Sequence, residues 1–134
     1  MHDVRATEQD VHDLLFCAAP RAFCDIAEIS GESVGFALWV YNVSTFAGRH
    51  GIYLEDLYVR PQTRGMGAGK ALLAGLASRC LAQGLARLEW QVLDWNAPSI
   101  AFYDSLGAAA LTDWTTRRLS GESLMALAKA ATIG

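Results

Sequence analysis

Residues 58–72 run Tyr-Val-Arg-Pro-Gln-Thr-Arg-Gly-Met-Gly-Ala-Gly-Lys-Ala-Leu, a β-rich stretch that passes through Gly65, Gly67 and Gly69 into an apolar stripe of helical spacing. The stripe, Leu72, Leu73, Leu76 and Cys80, predicts a helix over 67–83 with Gly84 as its stop. Glycines in such a turn let the backbone approach a ligand closely, and the free amides at the helix N-terminus converge on whatever lies above them, which makes an anion site. Two familiar phosphate loops are excluded. A Walker A loop needs Gly where Arg64 stands and a magnesium-binding hydroxyl where Ala71 follows Lys70. Glycines at 65, 67 and 69 also miss the dinucleotide spacing GxGxxG. From these residues alone the turn is either an anion site or a plain strand-to-helix connection.

The rest of the chain predicts one domain, 1–134, without repeat, linker or low-complexity tract. Thr7 with Glu8, Gln9 and Asp10 reads as the start of a helix over 8–16, with Val11, Leu14 and Leu15 as its apolar face. Runs 21–29 and 33–43 pair as a hairpin through Ser30-Gly31-Glu32, and 52–59 is a third strand closed by Arg60-Pro61. Run 87–93 alternates as a strand. Asn96 then caps a helix with an early Pro98 that Gly107 ends, 112–119 reads as a last strand, and 122–130 as a helical tail. This order predicts an α/β fold with a mixed sheet covered by helices.

Charge and composition narrow the function. Apolar residues make up 52% of the chain and the net charge is -3, so it should fold and should have no general affinity for nucleic acid or anionic membrane. The longest uncharged stretch, 33–48, is shorter and more polar than the roughly 20 apolar residues of a spanning helix. The N-terminus lacks an apolar signal core, which predicts a cytoplasmic protein. Cys17, Cys24 and Cys80 fit neither a disulfide framework nor a CxxC pair and read as buried reduced thiols. His2, His12 and His50 share no ligand spacing, so no metal is expected. The tryptophans Trp39, Trp90, Trp95 and Trp114 read mainly as core.

Arg64-Gly65-Met66-Gly67-Ala68-Gly69 resembles the Arg/Gln-x-x-Gly-x-Gly/Ala acetyl-coenzyme A signature of the GNAT N-acetyltransferases. Residues 53–59, Tyr-Leu-Glu-Asp-Leu-Tyr-Val, and 93–103, Leu-Asp-Trp-Asn-Ala-Pro-Ser-Ile-Ala-Phe-Tyr, are similar to the spermidine/spermine and thialysine acetyltransferase branch. The resemblance covers about residues 5 to 130. It implies an acyl-CoA N-acyltransferase fold with a central, mostly antiparallel mixed sheet, and direct transfer of acetyl from acetyl-CoA to a small primary amine: a polyamine, a diamine or a lysine-like amino acid. It implies that amides between Gly65 and Lys70, with the Arg64 side chain, bind the pyrophosphate; that amides of Leu57, Tyr58 and Val59 polarise the carbonyl; and that the strand splays near Val59. Asn96 contacts the cofactor arm under the same reading.

The chemistry assigns roles within that frame. An alkylammonium resembles lysine, pKa about 10.4, and must lose a proton before it attacks a thioester. The resemblance puts the base, direct or through water, at Glu55, and substrate contacts at Glu55 and Asp56. Adjacent strand residues point to opposite faces, so only one carboxylate should face the site unless a bulge re-aims them. An ion pair within the sheet is the plain alternative for both. Tyr103, which the resemblance implies is the general acid, has a phenol of pKa about 10 and can protonate a thiolate of about 8.5. Core packing is its plain alternative, and N-capping that of Asn96. Trp95, beside Asn96 where the resembled motif reads Trp-Asn-x-Pro, is a candidate to line the cofactor or amine channel.

Two rival functions stay open: a CoA-binding module without turnover, and an acetyltransferase of protein or peptide amines. Members of the resembled family begin with a strand and a long helix, for which the six residues before Thr7 leave no room. Without them a sheet edge carrying Ala22, Phe23, Ile26 and Ile29 is exposed, which predicts a homodimer or higher oligomer with broadened amine selectivity.

Overall fold

The computed structural model describes residues 6–45 and 47–131; His2 lies outside them. The chain divides into two compact units, at 93/94.

In the first unit, α1 (Glu8–Phe16) opens with a capping box: Asp10 N donates to Thr7 Oγ1 at 3.0 Å and Thr7 N donates to Asp10 Oδ2 at 2.9 Å. Its apolar face is exposed, Val11 and Leu14 included. Strands β1 (Phe23–Ile29) and β2 (Glu32–Ser44) form the expected hairpin. Ser30 and Gly31 both take positive φ, 51° and 81°, which is the two-residue turn whose twist matches the strands. β3 (Arg49–Val59) runs antiparallel to β2, and β4 (Leu88–Glu89) pairs parallel to β3, so the sheet order is β1-β2-β3-β4.

Helix α2 (Ala68–Gln83) lays Ala68, Leu72, Leu73, Leu76 and Cys80 on the sheet, against Ala37, Trp39, Ile52 and Leu54. Gly84, at φ 66°, stops it: Leu85 N reaches back to Cys80 O at 2.8 Å and Gly84 N to Leu81 O at 3.3 Å. One polar clamp ties helix and sheet. Asp25 accepts from Arg79 Nη2 with both oxygens, at 3.1 and 3.2 Å, and from Trp39 Nε1 at 3.2 Å, while Arg79 stacks over the Trp39 ring at 5.0 Å.

The second unit holds α3 (Ala97–Ser105) and α4 (Gly121–Ala128). Two expected strands do not form as read. Run 87–93 pairs only at Leu88–Glu89, and 112–119 is not a strand. Alternation specifies a face, but a strand exists only where a neighbour completes its ladder, and the described residues of the second unit hold no other strand. Three burial expectations also change: Cys17 is exposed, Cys24 half-buried and Trp114 76% exposed, whereas Cys80 and Trp39 are buried. Trp95, the channel candidate, is exposed as well. No helix among the described residues is long and apolar enough to cross a membrane.

Candidate active site

The site begins where β3 and β4 part. Their parallel ladder has two rungs, Ile52 with Leu88 and Tyr53 with Glu89, and β3 then continues to Val59 alone on that side. The result is a fork within the first unit. Two hydrogen bonds fix which amides face its open edge. Ile52 N donates outward to Arg87 O at 2.9 Å, but Arg60 N donates inward to Val34 O at 2.7 Å. Both positions are even-numbered, so the alternation has switched between them.

The switch is a bulge. Leu38 pairs with Asp56 and Trp39 with Leu54, which leaves Glu55 as the extra residue of β3. Beyond it the odd positions face outward, so the amides of Leu57 and Val59 line the open edge while that of Tyr58 faces β2. This departs from the expected trio of outward amides, and the ring of Tyr58 packs 5.8 Å from that of Phe36. The bulge also decides the acidic pair. Ile52 and Leu54 are buried toward α2, and Val59 Cγ2 would touch a Cβ at Gly69 on α2 at 3.7 Å, so Val59 and Leu57 share that side. Glu55 and Asp56 therefore both face the opposite side. Both are exposed, and among the described residues neither side chain has an ion pair or hydrogen bond.

Tyr53 lies between carboxylates, a position that sequence reading missed although its i, i+2 spacing from Glu55 was visible. Burial first, then the negative charges of Glu55 and Glu89, raise its phenol pKa above the ordinary value.

The glycine turn follows β3 through a single 3₁₀ turn, Pro61–Thr63. Gly65 and Gly67 take φ 86° and 87°, and Gly67 is the N-cap of α2 without any side-chain cap. The first intrahelical bond runs from Ala71 N to Gly67 O at 2.9 Å, so the amides of Ala68, Gly69 and Lys70 have no acceptor within the helix. A Cβ at Gly65 or Gly67 would meet nothing within 4 Å. The space above these amides is open, and the helix dipole and Lys70 make it favourable for an anion. The Met66 amide is occupied by Thr63 O at 3.2 Å, and Arg64 Nε donates to Val59 O at 3.1 Å, which ties the turn to the open edge of the fork.

The second unit gathers the remaining candidates on one short helix. Asn96 caps α3, its Oδ1 accepting from Ser99 N at 3.4 Å, with Trp95 exposed just before it. Tyr103 follows Asn96 by seven residues, which is two turns and the same helical face. It is half-buried, its ring is 5.6 Å from that of Phe102, and burial raises its pKa. Its carbonyl accepts from Leu106 N and Ala108 N, which closes the helix.

The donor set fits an acyl-CoA: three helix-terminal amides for a pyrophosphate, and two outward strand amides for a thioester carbonyl. Comparison with known proteins agrees. Residues 2–108 match the acetyltransferase (GNAT) family. A thialysine N-epsilon-acetyltransferase of Mus musculus is 37% identical over 138 residues, spanning 95% of this chain and 81% of that protein. An L-ornithine N5-acetyltransferase of Arabidopsis thaliana is 39% identical over 95 residues, spanning 71% of this chain but only 42% of its own length. An integron cassette protein from the mobile metagenome of V. cholerae superposes with a TM-score of 0.80 at 28% identity, covering 93% of this chain and 80% of that one.

Proposed function

This chain belongs to the acetyltransferase (GNAT) family, and we propose that it moves acetyl from acetyl-CoA directly to a primary amine of a small molecule. The observation that carries this reading is the continuity of the fork with the glycine turn: Arg64 Nε on Val59 O joins the open edge of β3 to the helix terminus. Acetyl-CoA supplies the activated acyl group as a thioester. The amides of Ala68, Gly69 and Lys70 hold its pyrophosphate, with Gly65 and Gly67 leaving room for close approach. The amides of Leu57 and Val59 donate toward the thioester oxygen, where negative charge develops. Glu55 removes a proton from the incoming ammonium, directly or through water, and Asp56 beside it attracts the cation. Tyr103 returns a proton to the departing sulfur. Asn96 borders the cofactor arm, and Trp95 lines the amine's path.

The acceptor is a polyamine, a diamine or an amino acid bearing a side-chain amine. The substrates for which two relatives are named, thialysine and ornithine, are amino acids of the last kind. The family match crosses the boundary at 93/94, which supports one N-acetyltransferase domain built from both units. The protein works in the cytoplasm as a homodimer, paired through the outer edge of β1, where Ile26 is 55% exposed. The test is calorimetric titration with acetyl-CoA, then thiol release with a panel of diamines, polyamines, lysine-like amino acids and lysine peptides. Turnover confined to peptides, or binding without turnover on any amine, would reject it.

A further inference from the structure

Glu89 stands at the closed end of the fork, and two donors hold it there. Asn42, on β2, reaches across β3 and donates from Nδ2 to Glu89 Oε1 at 3.1 Å; Arg87 Nε lies 3.0 Å from the same oxygen. The reach needs a gap in β3, and Gly51, the register partner of Asn42, provides it. A Cβ at Gly51 would sit 2.6 Å from Asn42 Oδ1 and 2.8 Å from Arg87 O. The second of these atoms is backbone and is the acceptor for Ile52 N, so the same glycine lets the first rung of the β3/β4 ladder close. The clasp therefore spans three strands at the point from which the fork opens.

Stability alone does not account for an amide at position 42. Asn42 Oδ1 is buried with no hydrogen-bond partner among the described residues, which is unfavourable and which an apolar residue would avoid. What the clasp does instead is fix Glu89, the register partner of Tyr53 in the last rung before β3 and β4 separate. Tyr53 shares its sheet face with Glu55, so its phenol lies in the field of both carboxylates.

We infer that Asn42, Glu89 and Arg87 are positioning residues for acyl transfer: their clasp over Gly51 sets where β3 and β4 part and holds Tyr53 beside the base Glu55. None of them needs to touch the reacting atoms. This role rests on the acetyltransferase reading of the fork.

The experiment compares Asn42→Ala, Glu89→Ala and Glu89→Gln in the full chain, each confirmed folded by circular dichroism. Gln keeps an oxygen that accepts from both donors, so it preserves the clasp without the charge. Both alanine variants should lose at least fivefold in kcat while the acetyl-CoA Kd stays within threefold, because the amides of Ala68, Gly69 and Lys70 are untouched. Glu89→Gln should recover kcat to within threefold of the parent. Its Tyr53 phenol, followed by ultraviolet titration against Tyr53→Phe, should ionise at lower pH than in the parent. Should Asn42→Ala not fold, the pair of variants at Glu89 decides alone. Alanine variants that lose less than fivefold in kcat, or a Gln variant as poor as Ala, would overturn the role. A parent that turns over while its variants match it sinks this role only; a parent without turnover on any amine sinks the acetyltransferase reading and this role with it.

Discussion

Replacing Gly67 by Ala separates what the glycine turn costs the fold from what it gives a ligand. Gly67 sits at φ 87°, ψ 5°, and a Cβ added there meets no protein atom within 4 Å. The cost to folding is therefore backbone strain alone, about 1–2 kcal/mol for an L-residue in left-handed space. Gly84, at φ 66°, ψ 33°, also has nothing within 4 Å of its Cβ and lies at the other end of α2. Gly84→Ala is thus a control with about the same strain, roughly 1 kcal/mol, and no ligand nearby. A chain of 134 residues loses about 4 °C of Tm per kcal/mol, so both variants should melt about 4 to 8 °C below the parent. Only Gly67→Ala should lose acetyl-CoA, because its methyl occupies the space above the amides of Ala68 and Gly69. The expected loss is tenfold or more in Kd, about 1.4 kcal/mol, with Gly67→Val worse than Ala. Calorimetric titration of the three proteins at one temperature below all their melting points reads this directly. Equal Kd values for Gly67→Ala and Gly84→Ala would refute the assignment of the turn.

Asp25→Ala should destabilise by about 1–4 kcal/mol: the Trp39 indole N–H, on a residue 2% exposed, loses its acceptor for about 1–3 kcal/mol, and the partly exposed Arg79 pair adds at most about 1. Asp25→Asn keeps an oxygen for Trp39 and should cost less than half as much; equal losses in urea unfolding would show that charge, not the hydrogen bond, matters. Tyr103→Phe should lower turnover by about 10² to 10⁴ with acetyl-CoA affinity unchanged; a fall of less than threefold when chemistry limits the rate would make Tyr103 a packing residue. Burial raises the Tyr103 pKa, so the neutral phenol is favoured in the folded chain. The stability it contributes is complete below about pH 10 and is lost as pH climbs through the raised value, and Tyr103→Phe should remove that alkaline loss from a Tm-versus-pH series. Ile26→Lys, on the outer strand β1, should halve the mass measured by light scattering; a parent that is already monomeric would reject the homodimer.

What was legible in the sequence is what neighbours in the chain decide among themselves. The Thr7–Asp10 box, the Ser30-Gly31 turn, the Leu72-to-Cys80 stripe and the Gly84 stop all depend on contacts a few residues apart, and all stand where the spacing puts them. Strands 87–93 and 112–119 were misread because a ladder depends on a second segment that alternation does not name. Trp114 was misread in the same way, since a large apolar ring suits a core but does not supply one. The clamp of Asp25 with Arg79 and the clasp of Asn42 with Glu89 join residues 54 and 47 positions apart, beyond any local pattern.

The bulge at Glu55 shows how far one unread residue reaches. An unbroken β3 of the same residues would turn its even-numbered amides outward from Ile52 to Val59 and set Glu55 and Asp56 on opposite faces. The extra residue reverses the alternation, so Leu57 and Val59 become the outward donors and Glu55 and Asp56 come to one face. An outward amide edge and an acidic face are thus one feature of the backbone. Deleting Glu55 removes the extra residue but leaves the pairs Leu38–Asp56, Ala37–Leu57 and Gly35–Val59 as they are, so the amides of Leu57 and Val59 should stay outward. Turnover should then fall as it does in Glu55→Gln, because both variants lose the proposed base, while both proteins retain the α2 helix by circular dichroism and the parent's acetyl-CoA affinity in calorimetric titration. A loss of acetyl-CoA affinity in the deletion alone would show that the bulge itself, and not the alternation beyond it, shapes the cofactor edge.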